Sequence, residues 1–130
     1  MENNCTGVVN MINKLLKIAQ DRLASLNKIT NGLPAPQVTV LLTSKGNIHV
    51  AINDIDGEIC EELVQNQDTT VVEMITVWKD GEVDLSSHRF RVALVKMNVQ
   101  NKETYVILQG ENSLKTRTLG STIANRQLFS

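Results

Sequence analysis

The sequence is poor in the residue types that most often announce an activity. Its 130 residues include two cysteines, two prolines, one tryptophan, one tyrosine and two phenylalanines. Cys5 and Cys60 are too few for a disulfide framework, and too few for a zinc site built from cysteine alone. Aromatic residues, at 3% of the chain, leave little on which to stack exposed bases, as a binder of single-stranded nucleic acid requires. An excess of one charge is also missing. Thirteen basic side chains face 14 acidic ones, a formal net charge of -1, so no global positive field draws in a polyanion. Nucleic acid is therefore not an expected partner. No apolar run approaches the roughly 18 residues of a membrane span, and Met1-Glu2-Asn3-Asn4-Cys5 lacks the basic and then apolar layout of a signal peptide. These absences point to a cytoplasmic location and no membrane partner. There is also no glycine-rich phosphate loop, no Gly-x-Ser-x-Gly, no paired-cysteine zinc motif and no His-Glu-x-x-His.

With 42% hydrophobic and 21% charged residues, the composition is that of one globular domain over residues 1–130. A chain of this length buries roughly two thirds of the surface it exposes when unfolded, so its core needs neither metal nor disulfide. Val8, Ile12, Leu15, Leu16, Ala19, Leu23 and Leu26 recur at three- and four-residue steps, the period of one helix face. Thr6 is a candidate N-cap, and Asn31-Gly32 with Pro34 a candidate stop. After the stiff Pro34-Ala35-Pro36 connector, residues 38–43 have the β-branched content of a strand. The turn Ser44-Lys45-Gly46-Asn47 returns the chain through residues 47–53, where Ile48, Val50 and Ile52 alternate with His49 and Ala51. Residues 58–64 read as a short helix with an acidic start, and 71–78 as a strand. Ser86 or Ser87 then caps a helix carrying Phe90, Ala93, Leu94 and Met97, and residues 105–108 form another strand. Residues 114–130 read as a broken helix in which Leu119, Ile123 and Leu128 pack over the sheet. The order predicts an α/β fold with a mixed central sheet and helices on both faces. The hairpin makes one edge antiparallel, and the strand–helix–strand units are expected to make the rest parallel.

The most informative local feature is Cys60-Glu61-Glu62 at the start of the short helix. A thiol there can have its thiolate stabilised by the helix end, and a carboxylate two positions on is expected at the same cavity mouth. The element order, Leu41-Leu42-Thr43-Ser44-Lys45-Gly46-Asn47-Ile48 in the hairpin, Ile59-Cys60-Glu61-Glu62 and Thr118-Leu119-Gly120 together resemble the cytidine deaminase family. The resemblance implies the three-layer fold of that family. Residue by residue it places Cys60 at the first zinc ligand and Glu62 at the glutamate that shuttles protons for the zinc-bound water. It places Asn53 in the segment that holds a nucleoside ribose, with Ile55 where that segment has a glutamate. The second zinc motif, Pro-Cys-x-x-Cys, falls on residues 86–91, so its two cysteines are replaced by Ser87 and Phe90. A serine hydroxyl is a poor zinc ligand and phenylalanine is none. His88, beside the missing ligand, and Asp84 are the replacements within sequence reach.

Three readings follow. The first is a deaminase-like protein without catalysis, with no cofactor, serving as a small-ligand-binding or oligomeric interaction module. By resemblance it is a homo-oligomer, a dimer or tetramer. The second is a divergent zinc-dependent deaminase whose metal is held by Cys60 with the missing ligands recruited from His88, Asp84 or a neighbouring subunit, and with Glu62 as the catalytic acid and base. The third rests on another likeness, since a helix, a hairpin and a mixed sheet also resemble dimeric scaffold modules of the roadblock type, which would have no cleft near Cys60. Arg89 and Arg91 read as solvent-facing, and Trp78 and Tyr105 as packing residues.

Overall fold

The computed structural model of the chain describes residues 2–29 and 36–123. Helix α1 spans Glu2–Ile29, followed by strands β1, Gln37–Thr43, and β2, Ile48–Ile52. Helix α2, Ile59–Gln65, leads to β3, Val71–Trp78, then α3, His88–Met97. Strands β4, Tyr105–Gln109, and β5, Leu114–Thr118, end in a 3-10 turn at Leu119–Thr122. Because α1 begins at Glu2, Thr6 lies inside the helix rather than at its cap. Residues 2–5 contain no proline or glycine to stop a helix from starting earlier, so a threonine alone did not mark the boundary. The stop read at Asn31-Gly32 lies outside the described residues.

The five strands form one mixed sheet in the order β2-β1-β3-β4-β5. The expectation that everything beyond the hairpin is parallel is corrected. β1 pairs antiparallel with both β2 and β3, β4 with β5 is antiparallel, and only β3 with β4 is parallel. β2 and β3 do run the same way, as a strand–helix–strand unit requires, but β1 lies between them. Residues 114–118 are a second correction, since they form an edge strand and not a helix. Lys115 and Arg117 alternate with Thr116 and Thr118, so both faces are polar and no hydrophobic period shows. Leu119 and Ile123 are buried as expected, and Leu128 lies outside the described residues.

Strand alternation divides the core in two. On one face, Leu15, Ala19 and Leu23 of α1 pack on Val38, Val40, Ile75, Val77 and Ile107. On the other, Leu63 of α2 and Phe90, Leu94 and Val95 of α3 pack on Leu41, Met74, Val106 and Leu108. The result is a three-layer α/β fold with helices on both faces of the sheet. The register partners Thr39 and Thr76 share a buried hydroxyl hydrogen bond of 2.7 Å, so these polar residues stand inside the sheet without an unpaired group.

The entry to α2 is built tightly. The Asp54 carboxylate accepts hydrogen bonds of 2.9 Å from the backbone N–H groups of Gly57, Glu58 and Ile59, which the helix start leaves without partners. Gly57 has φ +81°, and a Cβ there would sit 2.6 Å from the Ala93 Cβ of α3. Gly57→Ala is expected to cost about 2 kcal/mol or more, from the left-handed backbone and from overpacking. Gly46→Ala, at φ +84° with nothing within 4 Å, carries the backbone strain alone and is expected to cost less. Urea unfolding of both variants checks this, and equal midpoints would contradict it.

Candidate functional site

Cys60 and Glu62 sit two positions apart on α2, so their side chains leave the helix about 200° apart. The structure accordingly sends them to different places. Cys60 packs partly buried against the core and borders a groove with Ala93, Lys96 and Met97 of α3. Burial, followed by the negative charge of Asp54, pushes its thiol up to about 11. The thiol is therefore held protonated, and the expectation of a helix-stabilised thiolate is overturned by desolvation.

Glu62 borders a cleft of about 500 Å³ formed by the end of β2, the turn after it and the first turns of α2. Asn53, Asp54, Ile55, Asp56 and Glu58 also line it. The lining is acidic and contains no basic residue. Asn53 sits in the left-handed region at φ 51°. Its Oδ1 accepts from the Gln37 N–H at 2.8 Å, and its own N–H donates to the Gln37 carbonyl at 2.9 Å. The Asn53 backbone N–H and side-chain amide oxygen together thus extend the β1–β2 ladder past its last residue.

Glu62 has a partner that sequence reasoning missed. Its Oε2 lies 3.2 Å from His49 Nδ1, and the other ring nitrogen, Nε2, lies 2.9 Å from Asp68 Oδ2. One imidazole on β2 therefore joins α2 to the turn that follows α2. Asp68 is 2% exposed and also accepts from Asn47 Nδ2 at 3.1 Å. Desolvation raises its pKa, but hydrogen bonds from His49, Thr43 and Asn47 outweigh this and hold the carboxyl below the usual aspartate range. His49 and Asp68 lie 19 residues apart, and the only hint was a polar ring on the face of the strand shared with Ala51.

The other candidates serve the frame of the fold. Ser87 caps α3, accepting from the Phe90 N–H at 3.2 Å, and its hydroxyl donates to the Ile55 carbonyl. The Phe90 ring is fully buried in the core. His88 and Asp84 are exposed, and Asp84 Oδ1 accepts from the Leu85 N–H at 2.7 Å. Among the described residues, no group of three or more His, Cys, Asp or Glu side chains is gathered as a metal ion requires. Arg91 does not face solvent as expected: it is 9% exposed, with Nε donating to the Ser86 carbonyl and Nη1 to the Thr122 carbonyl. Arg89 is exposed, 3.2 Å from Asp56. Tyr105 is 51% exposed and so is not the packing residue expected, whereas the Trp78 indole donates to the Leu85 carbonyl. Among the described residues no helix is long and apolar enough to cross a membrane.

Solved structures share this architecture. A cytidine deaminase from Mycobacterium tuberculosis superposes with a TM-score of 0.64 at 14% identity, over 87% of this chain and 94% of that one. A cytidine deaminase from Mycobacterium leprae gives a TM-score of 0.60 at 13% identity, over 87% and 97%. At these identities the likeness is one of fold, and the chain has a cytidine-deaminase-like fold. No protein-family model matches the sequence, and no curated protein does.

The Asp68 cluster carries a pH dependence whose sign is fixed. Its pKa is depressed on folding, so its contribution is present above the unfolded aspartate value of about 3.9 and is lost as the pH falls through the folded one. Asp68→Asn is expected to destabilise the protein by about 1–3 kcal/mol near neutral pH. Urea unfolding should show the gap to wild type narrowing in acid, below the ordinary aspartate range. A gap that stays constant would remove Asp68 as the titrating group.

Proposed function

We propose that the chain is a single-domain, cytoplasmic, non-catalytic protein that uses a cytidine-deaminase-like fold to bind a small ligand or to assemble as a homo-oligomer. The observation that carries this reading is the fate of the two positions the resemblance assigns to the second zinc motif. Ser87 spends its hydroxyl on the cap of α3 and on the Ile55 carbonyl, and Phe90 fills the core. The zinc ion that the resemblance implies does not fit the residues present. Cys60 is turned toward α3 with its thiol protonated, His88 is exposed, and Glu62 opens onto the other side of α2. No reaction step is therefore assigned to zinc.

The cleft supports a ligand role, since about 500 Å³ lies within the range of small-molecule sites and both Glu62 and Asn53 border it. Nucleosides remain the ligand class to try first, by resemblance, with Ile55 offering no acceptor for sugar hydroxyls. The oligomeric role draws support from apolar surface on α2 and nearby: Val64 and Ile55 are 55% and 57% exposed. The roadblock-type scaffold has less support, because a groove does open beside Cys60.

Native mass spectrometry of protein purified without chelators tests the reading in one spectrum. Metal-free chains in a dimer or tetramer are the expected result, with no deamination of cytidine and no change in oligomeric state in Cys60→Ala. One zinc per chain that is lost in Cys60→Ala would overturn the reading in favour of a hydrolase.

A further inference from the structure

On the α1 face of the sheet, opposite the Glu62 cleft, a second hollow of about 360 Å³ is bordered by Ile12 of α1, Glu73 of β3, Tyr105 of β4 and Thr116 of β5. α1 packs chiefly over β1 and β3; Ile107 of β4 is buried in the same cluster, and the hollow opens beside it at Tyr105 and Thr116. Glu73 and Tyr105 are register partners in the one parallel pair, which stands their side chains beside each other on the same face. The Tyr105 ring is half exposed, and Ile12 supplies an aliphatic wall.

Glu73 gives the hollow its chemistry. Its Oε2 is buried and has no hydrogen-bond partner among the described residues. Burial alone pushes its carboxyl above the usual glutamate range, with no neighbouring charge to offset the loss of solvent. A buried acceptor without a partner costs free energy that an incoming donor recovers, and a cation recovers the charge as well. An aromatic ring beside a carboxylate favours an ammonium group, because the ring face attracts a cation that the carboxylate neutralises.

We infer that this hollow binds a small organic amine, with its ammonium paired to Glu73 beside the Tyr105 ring and its apolar body against Ile12. The inference stands on the α1 face and does not depend on the reading of the Glu62 cleft.

The test is an NMR titration of the full chain with benzylamine, using benzyl alcohol and benzoate as matched probes without the cation. The expected result is saturable shifts of amides around Tyr105 and Thr116 with benzylamine, much weaker ones with benzyl alcohol and none with benzoate. Glu73→Gln is expected to weaken benzylamine binding by about tenfold or more, since it removes the charged partner. Glu62→Gln should leave the affinity unchanged, which separates this hollow from the acidic cleft. Should Glu73→Gln fail to fold, Tyr105→Ala, at an exposed position, takes its place with an expected loss of severalfold. Absence of saturable binding, equal binding of benzyl alcohol, shifts confined to the Glu62 cleft, or wild-type affinity in the variant that folds would each overturn the proposal.

Discussion

The close approach of the 54–59 turn to the start of α3 is the constraint on which the arrangement of this face depends. Gly57 allows it, because any side chain would run into Ala93. Asp54 fixes the turn by taking three backbone amides, and the Ser87 hydroxyl bonds the Ile55 carbonyl from the other side. The mouth of the Glu62 cleft is made of this same turn, so its shape depends on the packing of the turn against α3 and on Asp54, which both fixes the turn and lines the cleft. The same contact commits Ser87. A hydroxyl that caps one helix and ties down the neighbouring turn has no remaining reason to be a metal ligand, and Phe90 behind it is bound to the core by burial.

What was legible in the sequence was whatever repeats with a period. α1 and α3 showed their apolar stripes, β2 its alternation, and β1 and β3 their β-branched runs, so the layers and their order could be read. Adjacency in the sheet was less legible, because a strand–helix–strand unit sets direction and leaves open whether another strand enters between. β1 does enter, so β2 and β3, expected as parallel neighbours, are not adjacent, and β3 pairs antiparallel with β1 instead. β5 had no period to read, since an edge strand with polar residues on both sides buries little.

The site was harder to read than the fold for a different reason. Cys60 and Glu62 are neighbours in sequence, yet helix geometry separates positions two apart, so they border different hollows. His49 and Asp68 are distant in sequence and meet because β2 and the turn after α2 pack together. The resemblance pointed to Asn53 and Glu62, and both do line one cleft. It could not foresee that Glu62 would be engaged by an imidazole, because neither motif contains His49. A fold can be kept by pattern alone while the residues at its openings change, so likeness of fold does not by itself assign function.

The two partly or fully buried carboxyls that differ most in environment make the same point in energetic terms. Asp68 is the more deeply buried, yet its pKa is depressed, because three side chains donate to it and one carries an imidazole. Glu73 is less buried and its pKa is raised, because burial meets no compensating donor. Burial therefore does not decide the charge state; the supply of donors does. Asp68 takes its donors on Oδ2 from within the fold, although its Oδ1 is buried without a hydrogen-bond partner among the described residues, and no hollow opens on it as one does on Glu73. Glu73 faces an open hollow with its own partner missing, and a polar group left unsatisfied beside space for a ligand is the arrangement in which binding, rather than folding, supplies the missing bond.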